Sequence, residues 1–233
     1  MTERQAQILA TIIEIYARTA EPVSSLAVAG DLEGSCSPAT IRAEMAALER
    51  AGCITHPHTS AGRVPTDKGY RYYVDSLAAS KTLTRAFDGL RRRAEKIPHD
   101  EHQAVKTIAS TLADLTDNMS LATLGSGLQF YGFSNLFGQP EFFSQEQAYE
   151  AARFLDSVES WIDEADLSEP LNVYIGAENP IGKSSGLSLV VSKFNSPYRE
   201  EDYIGVVGPT RQSYEKVMFL VDRAGRMLEE ILN

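Results

Sequence analysis

Apolar side chains recur at Ile8, Leu9, Ile12, Ile13 and Tyr16 within residues 3–19, a helical spacing that lays one buried stripe along a polar segment. Glu21-Pro22 ends it, because the residue before a proline is pushed out of helical geometry. A second short helix is predicted after Val23-Ser24-Ser25, with Leu26, Val28 and Leu32 as candidate core positions and Gly30 weakening it from within. The third helix is the best punctuated. Ser37 suits its N-cap, Pro38 its first turn, Ile41, Met45 and Leu48 its buried stripe, and Gly52 its stop. Ala39, Thr40, Arg42 and Ala43 are left facing outward near its start. Cys53-Ile54 and Val64-Pro65 read as two short strands joined by a polar loop that has Gly62 near its end. Thr66 or Asp67 then caps a helix carrying Tyr70, Tyr73, Val74 and Leu77. Three helices, a hairpin and a returning helix describe a winged helix-turn-helix over residues 1–78.

Residues 79–118 are expected to be helical and partly exposed, a linker and candidate dimerisation segment. Pro98 interrupts it, and Ile108, Leu112 and Leu115 keep helical spacing. From about residue 119 the pattern changes. Strand-like pieces occur at Leu128–Phe133, Leu171–Ile175, Leu187–Phe194 and Tyr203–Val207, with amphipathic helices expected around 145–165 and 211–232. The fold class is therefore α+β, with residues 119–233 as a second domain.

A formal charge of −10 argues at first against nucleic acid, but the charge is unevenly spread. Residues 1–97 carry 13 Lys/Arg and 11 Asp/Glu, whereas residues 98–233 carry 9 and 21. The acidity belongs to the C-terminal part, and such asymmetry is a sign of a nucleic-acid-facing half. No apolar run approaches the roughly 18 residues of a membrane helix, and the polar start is unlike a signal peptide, so a cytoplasmic location is expected. Cys36 and Cys53 lack zinc-site spacing and are too few for a disulfide framework. His56 and His58 form an H-x-H pair that could in principle hold a metal, but the surrounding residues complete no zinc-ligand pattern, and neither a metal nor a cofactor is expected.

A recognition helix needs short or forked side chains at the end that enters the major groove. Thr40 can reach a base edge or a thymine methyl, Arg42 a guanine or a phosphate, and Ser37 with the free N–H groups of the first turn a phosphate oxygen. In the loop between the strands, His58, Thr59, Ser60 and Arg63 gather donors beside a glycine that lets the backbone approach DNA closely. Lys68 and Arg71 are further phosphate candidates. The competing enzyme reading rests on Gly205, Gly208 and Thr210-Arg211 between Tyr203 and Tyr214, a spacing that lacks both G-K-[ST] and the dinucleotide pattern.

Longer strings carry a resemblance. Glu21-Pro22-Val23, Ser37-Pro38-Ala39-Thr40-Ile41-Arg42 with Glu44-Met45, and the run from His56-Pro57-His58-Thr59-Ser60-Ala61-Gly62-Arg63 through Val64-Pro65-Thr66-Asp67-Lys68-Gly69-Tyr70-Arg71-Tyr72-Tyr73-Val74-Asp75 resemble the heat-inducible transcription repressor family HrcA. Phe133-Ser134-Asn135-Leu136-Phe137, Pro140-Glu141-Phe142, Val173-Tyr174-Ile175-Gly176-Ala177-Glu178-Asn179 and Ile204-Gly205-Val206-Val207-Gly208-Pro209-Thr210-Arg211 with Tyr214 are similar to its C-terminal motifs. The resemblance implies a homodimeric repressor of chaperone operons that binds double-stranded DNA at an inverted-repeat operator called CIRCE. It implies release under heat stress and dependence on the GroEL chaperonin. It also implies a GAF-like C-terminal domain carrying an inserted dimerisation subdomain. This chain is shorter than the family pattern, and the shortfall falls between about Asn118 and Tyr131. The expected C-terminal domain is accordingly an abridged GAF-like one. An alternative left open is a winged-helix regulator of another regulon, whose C-terminal domain senses a small molecule or a partner protein.

Overall fold

The computed structural model describes residues 1–32, 36–57, 62–77, 84–94, 100–164, 167–183 and 185–233. The chain divides into two compact units, Met1–Ala78 and Ala79–Asn233. Among the described residues no helix is long and apolar enough to cross a membrane.

The first unit runs α1 (Glu3–Thr19), α2 (Ser25–Asp31), α3 (Pro38–Arg50), β1 (Ile54–Thr55), β2 (Val64–Pro65) and α4 (Asp67–Ser76). Helix α1 opens on a capping box in which the Thr2 hydroxyl accepts from the Gln5 N–H and the Gln5 side chain accepts from the Thr2 N–H. Its stripe of Ile8, Leu9, Ile12 and Ile13 is buried, as are Val28, Ile41, Met45, Leu48, Tyr70 and Val74 on the three helices that α1 packs against. Leu26, expected inside, is 68% exposed. In the seven-residue α2 only Val28 is buried, and a residue two positions away lies about 200° around the helix, on the solvent side.

Strands β1 and β2 pair Ile54 with Pro65 and Thr55 with Val64. Val23 extends this small sheet by exchanging two backbone hydrogen bonds with Arg63, at 2.8 and 2.9 Å. Two glycines are dictated by close approach. A Cβ on Gly62 would lie 2.6 Å from the Pro22 carbonyl, and one on Gly69 would lie 2.0 Å from the Cys53 oxygen. The start of α4 thus presses directly on the end of the turn after α3. Thr66 completes that junction, its hydroxyl donating to the Gly52 carbonyl at 2.6 Å and accepting from the Gly69 N–H at 3.2 Å.

The second unit contains α5 (Thr84–Ala94), α6 (Glu101–Thr116), β3 (Met119–Leu124), β4 (Gly127–Tyr131), α7 (Phe133–Phe137), a 3₁₀ turn (Pro140–Phe143), α8 (Gln145–Glu164), β5 (Leu171–Tyr174), β6 (Leu187–Phe194), β7 (Asp202–Pro209) and α9 (Tyr214–Leu232). The sheet is antiparallel throughout, in the order β4-β3-β7-β6-β5. On one face Met119, Leu121, Leu187, Leu189, Val191, Tyr203 and Val207 join Ala151, Phe154, Val158 and Ile162 of α8 in a single cluster. The other face is covered by α6 and α9. There Ser120 donates to the Ala109 carbonyl at 2.6 Å, and Ser188 shares a 2.7 Å hydrogen bond with the Tyr214 hydroxyl.

Strand β3, Met119-Ser120-Leu121-Ala122-Thr123-Leu124, has one β-branched residue, whereas the similarly buried β6 and β7 carry paired valines that mark them as strands. The sequence reading accordingly missed it. Phe133 was assigned to a strand, but Gly132 adopts φ 81°, which ends β4 and starts α7. Helix α6, expected within a partly exposed linker, buries Ala104, Val105, Ile108, Ala109, Leu112 and Ala113 and belongs to the core of this unit. The shortened region between Asn118 and Tyr131 is a hairpin closed by Gly125-Ser126, with Gly125 at φ 61°.

Asp202 is fully buried. Its carboxylate accepts from the Thr123 hydroxyl (2.8 Å), the Gly125 N–H (3.2 Å) and the Ser196 hydroxyl (2.6 Å), tying that hairpin to the turn before β7. A second polar tie, Arg211 to Glu141 and Gln139, fastens the 3₁₀ turn to the segment leading into α9.

Candidate nucleic-acid interface

Helix α3 is built to present its first turn. The Ser37 hydroxyl accepts from the Thr40 N–H at 3.1 Å and shares a 3.0 Å hydrogen bond with the Thr40 hydroxyl, and Pro38 follows where its missing N–H costs nothing. Burial of Ile41, Met45 and Leu48 turns the opposite side to solvent. Ser37, Ala39, Arg42 and Ala43 are exposed and Thr40 is half-buried. Among the described residues Arg42 has neither a hydrogen-bond nor an ion-pair partner. Ala39 and Ala43 beside it leave room for a surface to come close, and a methyl group can pack on a thymine methyl.

The helix carries two carboxylates, and both are held within the protein. Glu44 accepts from the Gln5 side chain at 3.0 Å, and Glu49 pairs with Arg63 at 3.0 Å. This matters because residues 1–78 carry seven Lys/Arg against nine Asp/Glu. Attraction to DNA here has to come from local placement, since the unit as a whole has no positive excess.

The other predicted residues fare differently. His58, Thr59 and Ser60 lie outside the described residues. Arg63, expected to face a phosphate, is 17% exposed, and its guanidinium is directed to Glu49 and His56. The Lys68 ammonium donates to the Ala51 carbonyl at 2.8 Å, just past the end of α3, where a cation also suits the helix dipole. Arg71 pairs with Asp75 one turn later on α4, at 3.3 Å. Three predicted cations are therefore engaged inside the unit, and Arg42 stands open.

Arg50 was missed by the sequence reading. It is exposed in the last turn of α3, eleven residues after Ala39 and hence nearly on the same side. That spacing was available as a signal. Glu49 and His56 were also missed, and their role depends on pairing between separate elements. Among the described residues, which include His56 but not His58, no group of three metal-ligating side chains is found.

Comparison with known proteins agrees with this geometry. A family model described as "Winged helix-turn-helix transcription repressor, HrcA DNA-binding" matches residues 1–76, and one described as "HrcA protein C terminal domain" matches residues 70–218. The heat-inducible transcription repressor HrcA of Shouchella clausii (strain KSM-K16) is 27% identical over 337 aligned positions, covering 100% of this chain and 98% of the relative. Those positions outnumber the 233 residues here, so the relative carries residues that this chain lacks. The HrcA of Acetivibrio thermocellus is 42% identical over 125 residues, which is 53% of this chain and 36% of that protein. A crystal structure of a protein described only as hypothetical shares the fold, with a TM-score of 0.81 at 19% identity over 100% of this chain and 98% of that one. The two models together run through most of the sequence, and the chain belongs to HrcA, the family of heat-inducible transcription repressors.

Proposed function

We propose that this repressor silences heat-shock chaperone operons by binding, as a homodimer, an inverted-repeat operator of the CIRCE type. The observation that carries the reading is the open first turn of α3, where Arg42 has no partner among the described residues and the helix's carboxylates are directed elsewhere. Arg42 and Thr40 would read base edges in the major groove, with Ser37 and the first-turn N–H groups on a phosphate. Arg50 would reach the backbone farther along α3. His58, Thr59 and Ser60 of the wing, with Arg71 once its present partner exchanges, are the remaining contacts, and Lys68 acts as a cap on α3. Arg63 acts by holding the wing.

Residues 1–78 form the DNA-binding module. Residues 119–233, with α5 and α6 of segment 79–118 packed on them, form the regulatory one. The sheet order β4-β3-β7-β6-β5 with helices on both faces supports a GAF-like assignment. An inverted repeat presents two half-sites separated by a helical turn or a multiple of one, which calls for two copies of the chain. Family membership supports a cytoplasmic location and a dependence on the GroEL chaperonin.

The test is Arg42→Ala in the full chain. Discrimination between operator and base-substituted operator should fall by on the order of 1–3 kcal/mol, read by anisotropy at fixed salt. Equal weakening on every duplex would move Arg42 to the phosphate backbone, and unchanged binding would remove α3 from the interface.

A further inference from the structure

At the foot of the β1–β2 hairpin, side chains from three places in the chain close a ring. The β1–β2 register pairs Ile54 with Pro65 and Thr55 with Val64, and one step further along that register His56 faces Arg63. Arg63 Nη2 and Nε both approach Glu49 Oε2 on α3, at 3.0 and 3.2 Å. Arg63 Nη1 lies 2.7 Å from His56 Nδ1, and His56 Nε2 lies 3.5 Å from Glu49 Oε1. A guanidinium has no lone pair to offer, so Nδ1 must be the acceptor. The imidazole is then neutral, with its proton on Nε2 toward Glu49. Among the described residues, Glu49 and Arg63 are the charged groups that meet this ring.

Partly exposed ion pairs contribute little to folding stability. A carboxylate on a helix that meets DNA also repels phosphate. What the ring does supply is a fixed angle between the hairpin and α3, because Arg63 is anchored by its backbone to Val23 while its side chain grips the helix. We propose that Glu49 and neutral His56 are positioning residues that, through Arg63, hold the base of the wing against α3 and so set operator affinity. The proposal rests on the DNA-binding reading above.

The sign of one substitution separates positioning from simple electrostatics. If Glu49 only repels DNA, Glu49→Gln tightens binding to the inverted repeat. If it positions the wing, Glu49→Gln weakens binding on the order of tenfold, the weight of a lost phosphate contact or two. His56→Gln keeps an acceptor for Arg63 and a donor for Glu49. It should bind as the wild type does, whereas His56→Ala, which offers Arg63 no acceptor, should weaken binding as Glu49→Gln does. Tighter binding by Glu49→Gln overturns the proposal, as does wild-type affinity in His56→Ala. Nitrogen-15 NMR of the DNA-free full chain tests the ring separately, with the Nε2–H tautomer of His56 expected and the Nδ1–H tautomer overturning it. Failure of the wild type to bind any repeat would count against the DNA-binding reading while that NMR result still decides the ring.

Discussion

The start of α3 and the base of the wing use the same residue types to opposite ends. At the start of α3, Arg42 is exposed and unpaired among the described residues, flanked by alanines, with local hydrogen bonds confined to Ser37 and Thr40. At the base of the wing, Arg63 is bound to Glu49 and His56, and Lys68 to the Ala51 carbonyl. One region leaves its cation open to solvent, and the other engages its cations with groups of the same unit. An arginine in a DNA-binding domain is thus a contact or a strut according to what already satisfies it.

This contrast predicts that substitutions where α4 meets the turn after α3 act on stability, those in the Glu49–His56–Arg63 ring on operator affinity, and those at the α3 start on sequence recognition. The largest effect should come from Gly69→Ala, whose methyl would sit 2.0 Å from the Cys53 oxygen. Backbone must move there, and the loss should be about 3 kcal/mol, read by urea unfolding of the full chain. An unchanged midpoint would break the claim that α4 and the turn after α3 form one rigid junction.

Lys68→Met sharpens the comparison at smaller scale. As a cap on α3 it should cost about 0.5 kcal/mol of stability and leave the salt dependence of DNA binding as it was. If Lys68 instead contacts a phosphate, the slope of log K against log salt falls by about 0.9.

The smallest effect lies in the second unit. The Tyr203 hydroxyl, and after it the Lys193 ammonium, hold the Glu201 carboxyl below its usual range. A carboxylate whose pKa is lowered in the folded state adds stability above its unfolded pKa, and that contribution is lost as pH falls through the folded value. Because Glu201 is solvent-screened, Glu201→Gln should flatten the acid limb of the stability profile only slightly and leave operator binding unchanged. A change in operator binding would contradict that expectation.

Much of the first unit was legible because its signals are local. The α1 stripe and the Ser37-Pro38 start of α3 are set by residues within a turn or two of each other, and the structure shows both. Leu26 misled because an apolar residue in a seven-residue helix has no obligation to face inward. In the second unit β3 went unseen since it has one β-branched residue, while the equally buried β6 and β7 carry paired valines. The role of Arg63 was unreadable for another reason, its partner Glu49 lying fourteen residues away on a different element. Spacing can nominate a cation for DNA, but only the packed structure shows which cations are already taken.

The most direct measurement is an anisotropy titration of the full chain at one salt concentration against a CIRCE-type inverted repeat, its single half-site and a scrambled duplex, with and without chaperonin. Binding should be tightest to the full repeat, weaker to the half-site and weakest to the scrambled duplex. Equal affinity for all three, or no binding under either condition, would contradict the account.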